Sequence, residues 1–269
     1  MAIGFLNTVL IPSTTSLRGF NYSNSGTKIG KIDEYSPLPI YVSTTNKVDF
    51  QCPESISNTE FLSLVQAQER QYFEILSRYW PCINDKKVFM PASGSLLNFV
   101  STLHKLNVTE LFCSDITPSE KNYLGMQNKK TLQDNGIVVE FLNQTNAIEH
   151  VEKLIISNTK FSCIILPWFS MYLDLTEYNR LISGCFKLLT NDGVICERYS
   201  ASQAFNQPSS KLAMKTTFRS NTQVKQIYNQ NNFNVIEDEP ITAFSRWSAS
   251  GQRYLIAQKN QRIMLTESI

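Results

Sequence analysis

The chain has 269 residues, enough for one large domain or one domain with an extension, and 42% of them are hydrophobic against 18% charged, the balance of a globular protein with a sizeable core. A net charge of +2 gives no global drive toward nucleic acid or an anionic membrane surface. Only two histidines, His104 and His150, are present and the six cysteines never take CxxC or zinc-like spacing, so a histidine-rich metal site is excluded and the cysteines read as buried small hydrophobes in a reducing compartment.

The opening stretch "MAIGFLNTVLIPS" is mildly apolar, without a basic flank or a clear small-residue cleavage site, and no later apolar run reaches bilayer-spanning length. A cytoplasmic protein with no membrane partner is expected. Residues 1–58 are rich in Ser, Thr, Asn, Pro and Gly, with short β-like runs such as "LPIYVST". They read as an arm or small lid element on a main domain of residues 59–269, or else as a partly disordered tail. Periodicity then sets in. Phe61, Leu64, Val65, Gln68, Tyr72, Ile75, Leu76 and Tyr79 recur at helical spacing over 58–80, with Asn58 or Thr59 as the cap. Tyr72, Tyr79 and Trp80 are available to a lid.

After Pro81, apolar runs at 87–91, 110–114, 137–142, 161–166 and 192–197 alternate with helical stretches at 95–106, 118–135, 146–158 and 175–189. The runs are continuous, not alternating, so both faces should be covered, which predicts a parallel sheet between helices. A polar stretch (200–220) and a helix over 221–233 follow. "NVIEDEPI" and "QRYLIAQK" then come without a helix between them and predict an antiparallel hairpin at the sheet's edge. The expected fold class is α/β: a doubly wound, mostly parallel seven-stranded sheet with an antiparallel final strand, plus the N-terminal arm.

The stretch "KKVFMPASGSLLNFV" (86–100) runs strand, turn, helix with a single glycine, Gly94. Some twenty residues on, "LFCSDITPSEKNYL" ends an apolar run on Asp115. "EFLNQTNA", "FSCIILPWFSMYLDL" and "CFKLLTNDGVICERYS" follow in order. Over residues 60–259 this order resembles the class I (Rossmann-like) S-adenosylmethionine-dependent methyltransferases. Gly94 matches the middle glycine of that family's acidic–x–Gly–x–Gly–x–Gly motif, while Ala92 and Leu96 stand at the flanking glycines and Met90 at the acid.

The resemblance implies S-adenosylmethionine as cofactor, with the small residues Ala92, Ser93, Gly94 and Ser95 bringing backbone close to its methionine portion. The carboxylate absent at Met90 would help to hold its charged end. Asp115, followed by Ile116, would accept from the ribose hydroxyls; it would otherwise cap the next helix, a job open also to Thr117 or Ser119. Thr145 aligns with the usual adenine-side acid, and Asn143 or Asn146 could contact the adenine amino group instead. Leu166 and Pro167 would lie under the transferable methyl. Trp168, Phe169 and Tyr172 read as an acceptor lip or as packing against the arm, and Asn191-Asp192-Gly193 stand at the family's Pro-Gly-Gly turn. Tyr172, Glu197 and Tyr199 are catalytic candidates, Tyr199 a substrate contact as well, and no metal is expected.

The implied activity is methyl transfer to a small-molecule acceptor. Lys pairs such as "NDKKVF" are too short for a nucleic-acid groove, and "LPWF" stands where amino-methylating nucleic-acid enzymes carry Asn-Pro-Pro-Tyr. The alternatives are a non-catalytic binding or scaffold protein on the same fold, motivated by Met90, Ala92 and Leu96, or a different reaction such as a cyclisation.

Overall fold

The computed structural model describes residues 27–29, 40–42, 57–80, 86–94, 99–116, 123–201, 217, 219–242 and 251–260. Ser95, Leu96, Thr117, Ser119, Cys52 and Cys82, with most of the 1–58 arm and of the 200–220 stretch, lie outside these residues.

The apolar runs become strands of one sheet: β3 (Lys87–Met90), β4 (Glu110–Asp115), β5 (Val138–Asn143), β6 (Phe161–Leu166), β7 (Leu189–Ser200), β8 (Phe233–Pro240) and β9 (Gln252–Lys259). Their order is β5-β4-β3-β6-β7-β9-β8. Pairings from β5 through β7 are parallel, and β9 runs antiparallel to both of its neighbours. The final strand is therefore reversed, as its sequence predicts, but it lies inside the sheet and β8 forms the edge. Two short strands, β1 (Thr27–Ile29) and β2 (Ile40–Val42), pair separately.

Helices cover both faces. α1 (Asn58–Ser77), α2 (Val100–Lys105) and α3 (Tyr123–Asp134) lie on one side; α4 (Ala147–Ile156), α5 (Leu175–Leu188) and α6 (Asn221–Gln230) lie on the other. Local chemistry fixes where they begin. Ser57 caps α1 by accepting from the Glu60 N–H at 3.1 Å. Asp174 with Glu177 and Ser220 with Gln223 form reciprocal capping boxes on α5 and α6.

Every residue of β6 is buried, the outcome of covering a parallel strand twice. The thiols of Cys113, Cys163, Cys185 and Cys196 are buried and unbridged. Tyr72 and Trp80 belong to the core between α1 and the sheet, so α1 is part of the domain's packing and these rings are not held out on a lid.

A second correction concerns Asn191-Asp192-Gly193. Phe161 pairs with Leu189 but Cys163 with Val194, so these residues form a bulge within β7 and no turn separates it from α5. Gly193 is required by close approach, because a Cβ there would sit 2.9 Å from the Ser162 carbonyl oxygen. Among the described residues, no helix is long and apolar enough to cross a membrane, and no acidic, cysteine and histidine side chains gather as a metal site.

Candidate functional site

The chain order of the strands reverses between β3 and β6, where helices leave the sheet in opposite directions and open a crevice at the carboxyl ends. The turn after β3 sits there. Ala92 and Gly94 both take left-handed backbone, at φ 52° and 54°. Glycine adopts this conformation at no steric cost, whereas a Cβ costs about 1–2 kcal/mol. Allowing for glycine's greater entropy when unfolded, Ala92→Gly is expected to raise stability by about 1 kcal/mol; urea unfolding of the two proteins checks it.

The turn is laced to the neighbouring strand. The Ser93 N–H donates to the Ser114 carbonyl at 2.9 Å, and the Gly94 N–H donates to Asp115 Oδ2 at 2.8 Å. Asp115 is only 6% exposed, and its own carbonyl accepts from the Thr145 N–H at 3.1 Å. The ends of β3, β4 and β5 are thus tied through one acidic residue. A carboxylate has about four lone-pair sites, and one of them accepts from the Gly94 N–H. Ile116 follows, half-buried.

On the β5 side, Asn143 is exposed, while Thr145 and Asn146 are buried. Thr145 Oγ1 donates to the Asn143 carbonyl at 3.0 Å, and Asn146 Oδ1 caps α4 by accepting from the Ile148 N–H at 2.8 Å. Of the two candidate adenine contacts, Asn143 and Asn146, the second has its oxygen spent on the helix.

At the end of β6, Leu166 and Pro167 are buried and the aromatic run that follows divides. Trp168 stays half-buried on the α1 side of the sheet. Its Nε1 donates to Ser200 Oγ at 2.8 Å, and the Arg198 guanidinium lies 4.9 Å from its ring centre. Phe169 turns the other way into the core among α4, α5 and α6, where Tyr172 packs half-buried against the same cluster. The three rings do not form one lip.

Two of the catalytic candidates are engaged inside the fold. Glu197 is fully buried, and its Oε2 accepts from the hydroxyls of Tyr178 at 2.6 Å and Tyr228 at 2.7 Å. Burial pushes its carboxyl above the usual range. The Tyr199 hydroxyl donates to Asp238 Oδ1 at 2.9 Å, and desolvation raises that phenol well above its ordinary value. Beside them, Ser170, Tyr178, Tyr199 and Arg219 line a cavity of about 10 Å³, room for about one water. It is too small for an organic acceptor.

The sequence reading passed over Glu69. It stands on α1 at 0% exposure, and its Oε1 accepts from the backbone N–H groups of Ser101, at 2.5 Å, and Thr102, at 3.1 Å. Desolvation dominates over those bonds and pushes its carboxyl up to about 7. Gln68 and Glu69 fall inside the buried stripe 68, 69, 72, 76 of α1, where a charged residue stands out.

No family model matches the chain, and no curated protein matches it in sequence. Solved structures do. Magnesium protoporphyrin IX methyltransferase from Synechocystis PCC 6803, with bound SAH, superposes at a TM-score of 0.55 with 11% identity, over 78% of this chain and 90% of that one. A protein from Pyrococcus horikoshii OT3 gives 0.54 with 14% identity, over 76% and 93% of the two chains. An O-methyltransferase family protein from Burkholderia thailandensis gives 0.53 with 10% identity, over 80% of this chain and 62% of its own. At such identities the likeness is one of fold.

Proposed function

We propose that this chain, which carries the class I (Rossmann-like) methyltransferase fold, binds S-adenosylmethionine across the carboxyl ends of β3, β4 and β5 and transfers its methyl group to a small-molecule acceptor. The observation that carries this reading is the bond from the Gly94 N–H to Asp115. It places a buried carboxylate against a left-handed, small-residue turn at the point where the strand order reverses, an arrangement suited to a nucleoside with an amino-acid tail.

In this reading Ala92, Ser93 and Gly94 let the ligand approach the backbone, and Asp115 accepts from the ribose hydroxyls. Ile116, Asn143, Thr145 and Asn146 surround the adenine, with Asn146 Oδ1 already committed to its helix and only its amide group left to contribute. Leu166 and Pro167 form the floor under the sulfonium. The bound cofactor supplies a methyl group already activated by the positive sulfur, so the chain's task is to align an acceptor with it and exclude water. Trp168, held by Ser200 and Arg198 on the α1 side, is the side chain proposed to meet the acceptor; Phe169 and Tyr172 pack in and against the opposite cluster and are not proposed to share that contact. Glu197 and Tyr199 shape the wall below, each held by the hydroxyl and carboxylate partners given above.

Calorimetry with S-adenosylhomocysteine tests the reading. Asp115→Ala is expected to weaken binding by about 1–3 kcal/mol, the scale for hydrogen bonds to a charged acceptor. Equal affinity of wild type and variant would remove Asp115 from the site. No binding by wild type would favour the non-catalytic alternative, which the bond already held by Asp115 keeps in play.

A further inference from the structure

The cofactor proposed above ends in an amino acid, with an ammonium and a carboxylate on one carbon. Burying that pair needs an acceptor facing the one and a donor facing the other, since an unmatched buried charge is strongly unfavourable. Among the described residues, the end of β3 supplies no carboxylate for the ammonium. Met90, at the position where an acid is expected, is fully buried in the core cluster that also holds Tyr72. Of the other buried carboxylates at this edge, Asp115 is engaged by the Gly94 N–H. Glu197 faces the opposite helix layer, held by two phenols.

α1 carries an acceptor and a donor of the required kind. Glu69 Oε2 and Gln66 Nε2 are both buried and make no hydrogen bond, in side chains 0% and 7% exposed. Residues three apart share one face of a helix, so an acceptor and a donor stand side by side. Glu69 Oε1 fixes where they stand, because the amides it binds belong to the first turn of α2. A helix that follows a parallel strand starts at that strand's carboxyl end, and α2 is the helix that follows the Gly94 turn. A buried polar atom without a partner calls for a specific explanation; here two, of opposite hydrogen-bonding character, adjoin the turn where the amino-acid end would lie.

We propose that Glu69 and Gln66 hold the amino-acid end of the cofactor, Glu69 Oε2 accepting from its ammonium and Gln66 Nε2 donating to its carboxylate. The carboxylate absent from β3 is supplied across the cleft by the N-terminal helix. This rests on the cofactor reading above.

Two ligands separate this role from a purely structural one: S-adenosylhomocysteine, and 5′-methylthioadenosine, which keeps the adenosine and thioether but has no amino acid. Calorimetry on wild type, Glu69→Gln and Gln66→Leu is expected to show S-adenosylhomocysteine bound at least tenfold more weakly by Glu69→Gln, and several-fold more weakly by Gln66→Leu. Affinity for 5′-methylthioadenosine should be unchanged in both. Glutamine keeps a carbonyl oxygen for the Ser101 and Thr102 amides; should Glu69→Gln not fold, Gln66→Leu gives the same split between ligands. Equal losses for both ligands, or none for either, would overturn the assignment while leaving the cofactor reading intact. A wild type that binds neither ligand would overturn both.

Discussion

Replacing Tyr72 by alanine is expected to lower the unfolding free energy by about 3–5 kcal/mol, the scale for deleting a fully buried aromatic ring. Tyr72 stands 1% exposed, edge-on to Phe99 at 4.6 Å and to Tyr254 at 4.3 Å between ring centres. It therefore joins α1, the start of α2 and the inserted strand β9 in one contact. The cavity left by alanine would be lined by two aromatic rings and the sheet, none of which can move in to fill it. Tyr72→Phe is expected to cost little, because the lost hydroxyl makes no hydrogen bond and removing an unpartnered buried polar group is close to neutral. Urea unfolding of both variants is the measurement. A loss below about 1 kcal/mol in Tyr72→Ala, far under the scale of a buried aromatic, would return α1 to the status of a lid.

The second large effect concerns pH. His150 on α4 is 0% exposed, lies edge-on to Phe89 at 5.0 Å, and has no hydrogen-bond partner on either ring nitrogen. Desolvation, with a smaller contribution from Lys153, pulls its pKa from 6.5 down to about 4. The unfolded chain therefore binds a proton that the folded one refuses between those two values. The stability contributed by the neutral ring is complete above pH 6.5 and disappears as pH falls toward 4. At 1.36 kcal/mol per unit the loss is about 3 kcal/mol. Glu69 acts in the opposite sense: its raised pKa makes the folded state hold a proton that the unfolded chain releases between 4.5 and about 7, so its contribution is lost as pH rises. His150→Phe removes the first slope and leaves the second. The stability difference between this variant and wild type should be constant above pH 6.5 and change by about 3 kcal/mol in the variant's favour by pH 4. Parallel profiles across that range would show that the ring is protonated in the folded state.

What the sequence disclosed and what it hid divide along a physical line. Continuous apolar runs such as "FSCIIL" can only be strands covered twice, so the parallel sheet and its sequence of strands and helices were legible. The spacing from Gly94 to Asp115 was legible too, because a βαβ unit has a nearly fixed length. The bond between them was not: whether a carboxylate reaches across to a neighbouring turn depends on how two strands stack. The division of Trp168 from Phe169 follows from the same cause. Adjacent residues at the end of a strand leave on opposite faces, and a row of aromatic letters does not say which face each one takes. Glu69 shows the converse. Its place in the helical stripe was visible, but a charged residue in such a stripe is commonly discounted as an imperfection in the pattern.

The position of β9 bears on how the chain is made. Residues 252–259 separate β7 from β8 and hydrogen-bond to both. Until they leave the ribosome, β8 has no strand to lie against and β7 keeps one side of its backbone unpaired. At a synthesis rate of about 5–20 residues per second, the half of the sheet from β5 to β6 can assemble first, while β7 and β8 wait for the insertion between them. Both present open edges during that interval, the state most exposed to pairing with another chain. The acidic run Glu237, Asp238 and Glu239 on β8 is well placed to discourage it. A chain released after residue 250 should therefore protect β3–β6 from protease and leave β8 open, whereas a chain that includes β9 should close both.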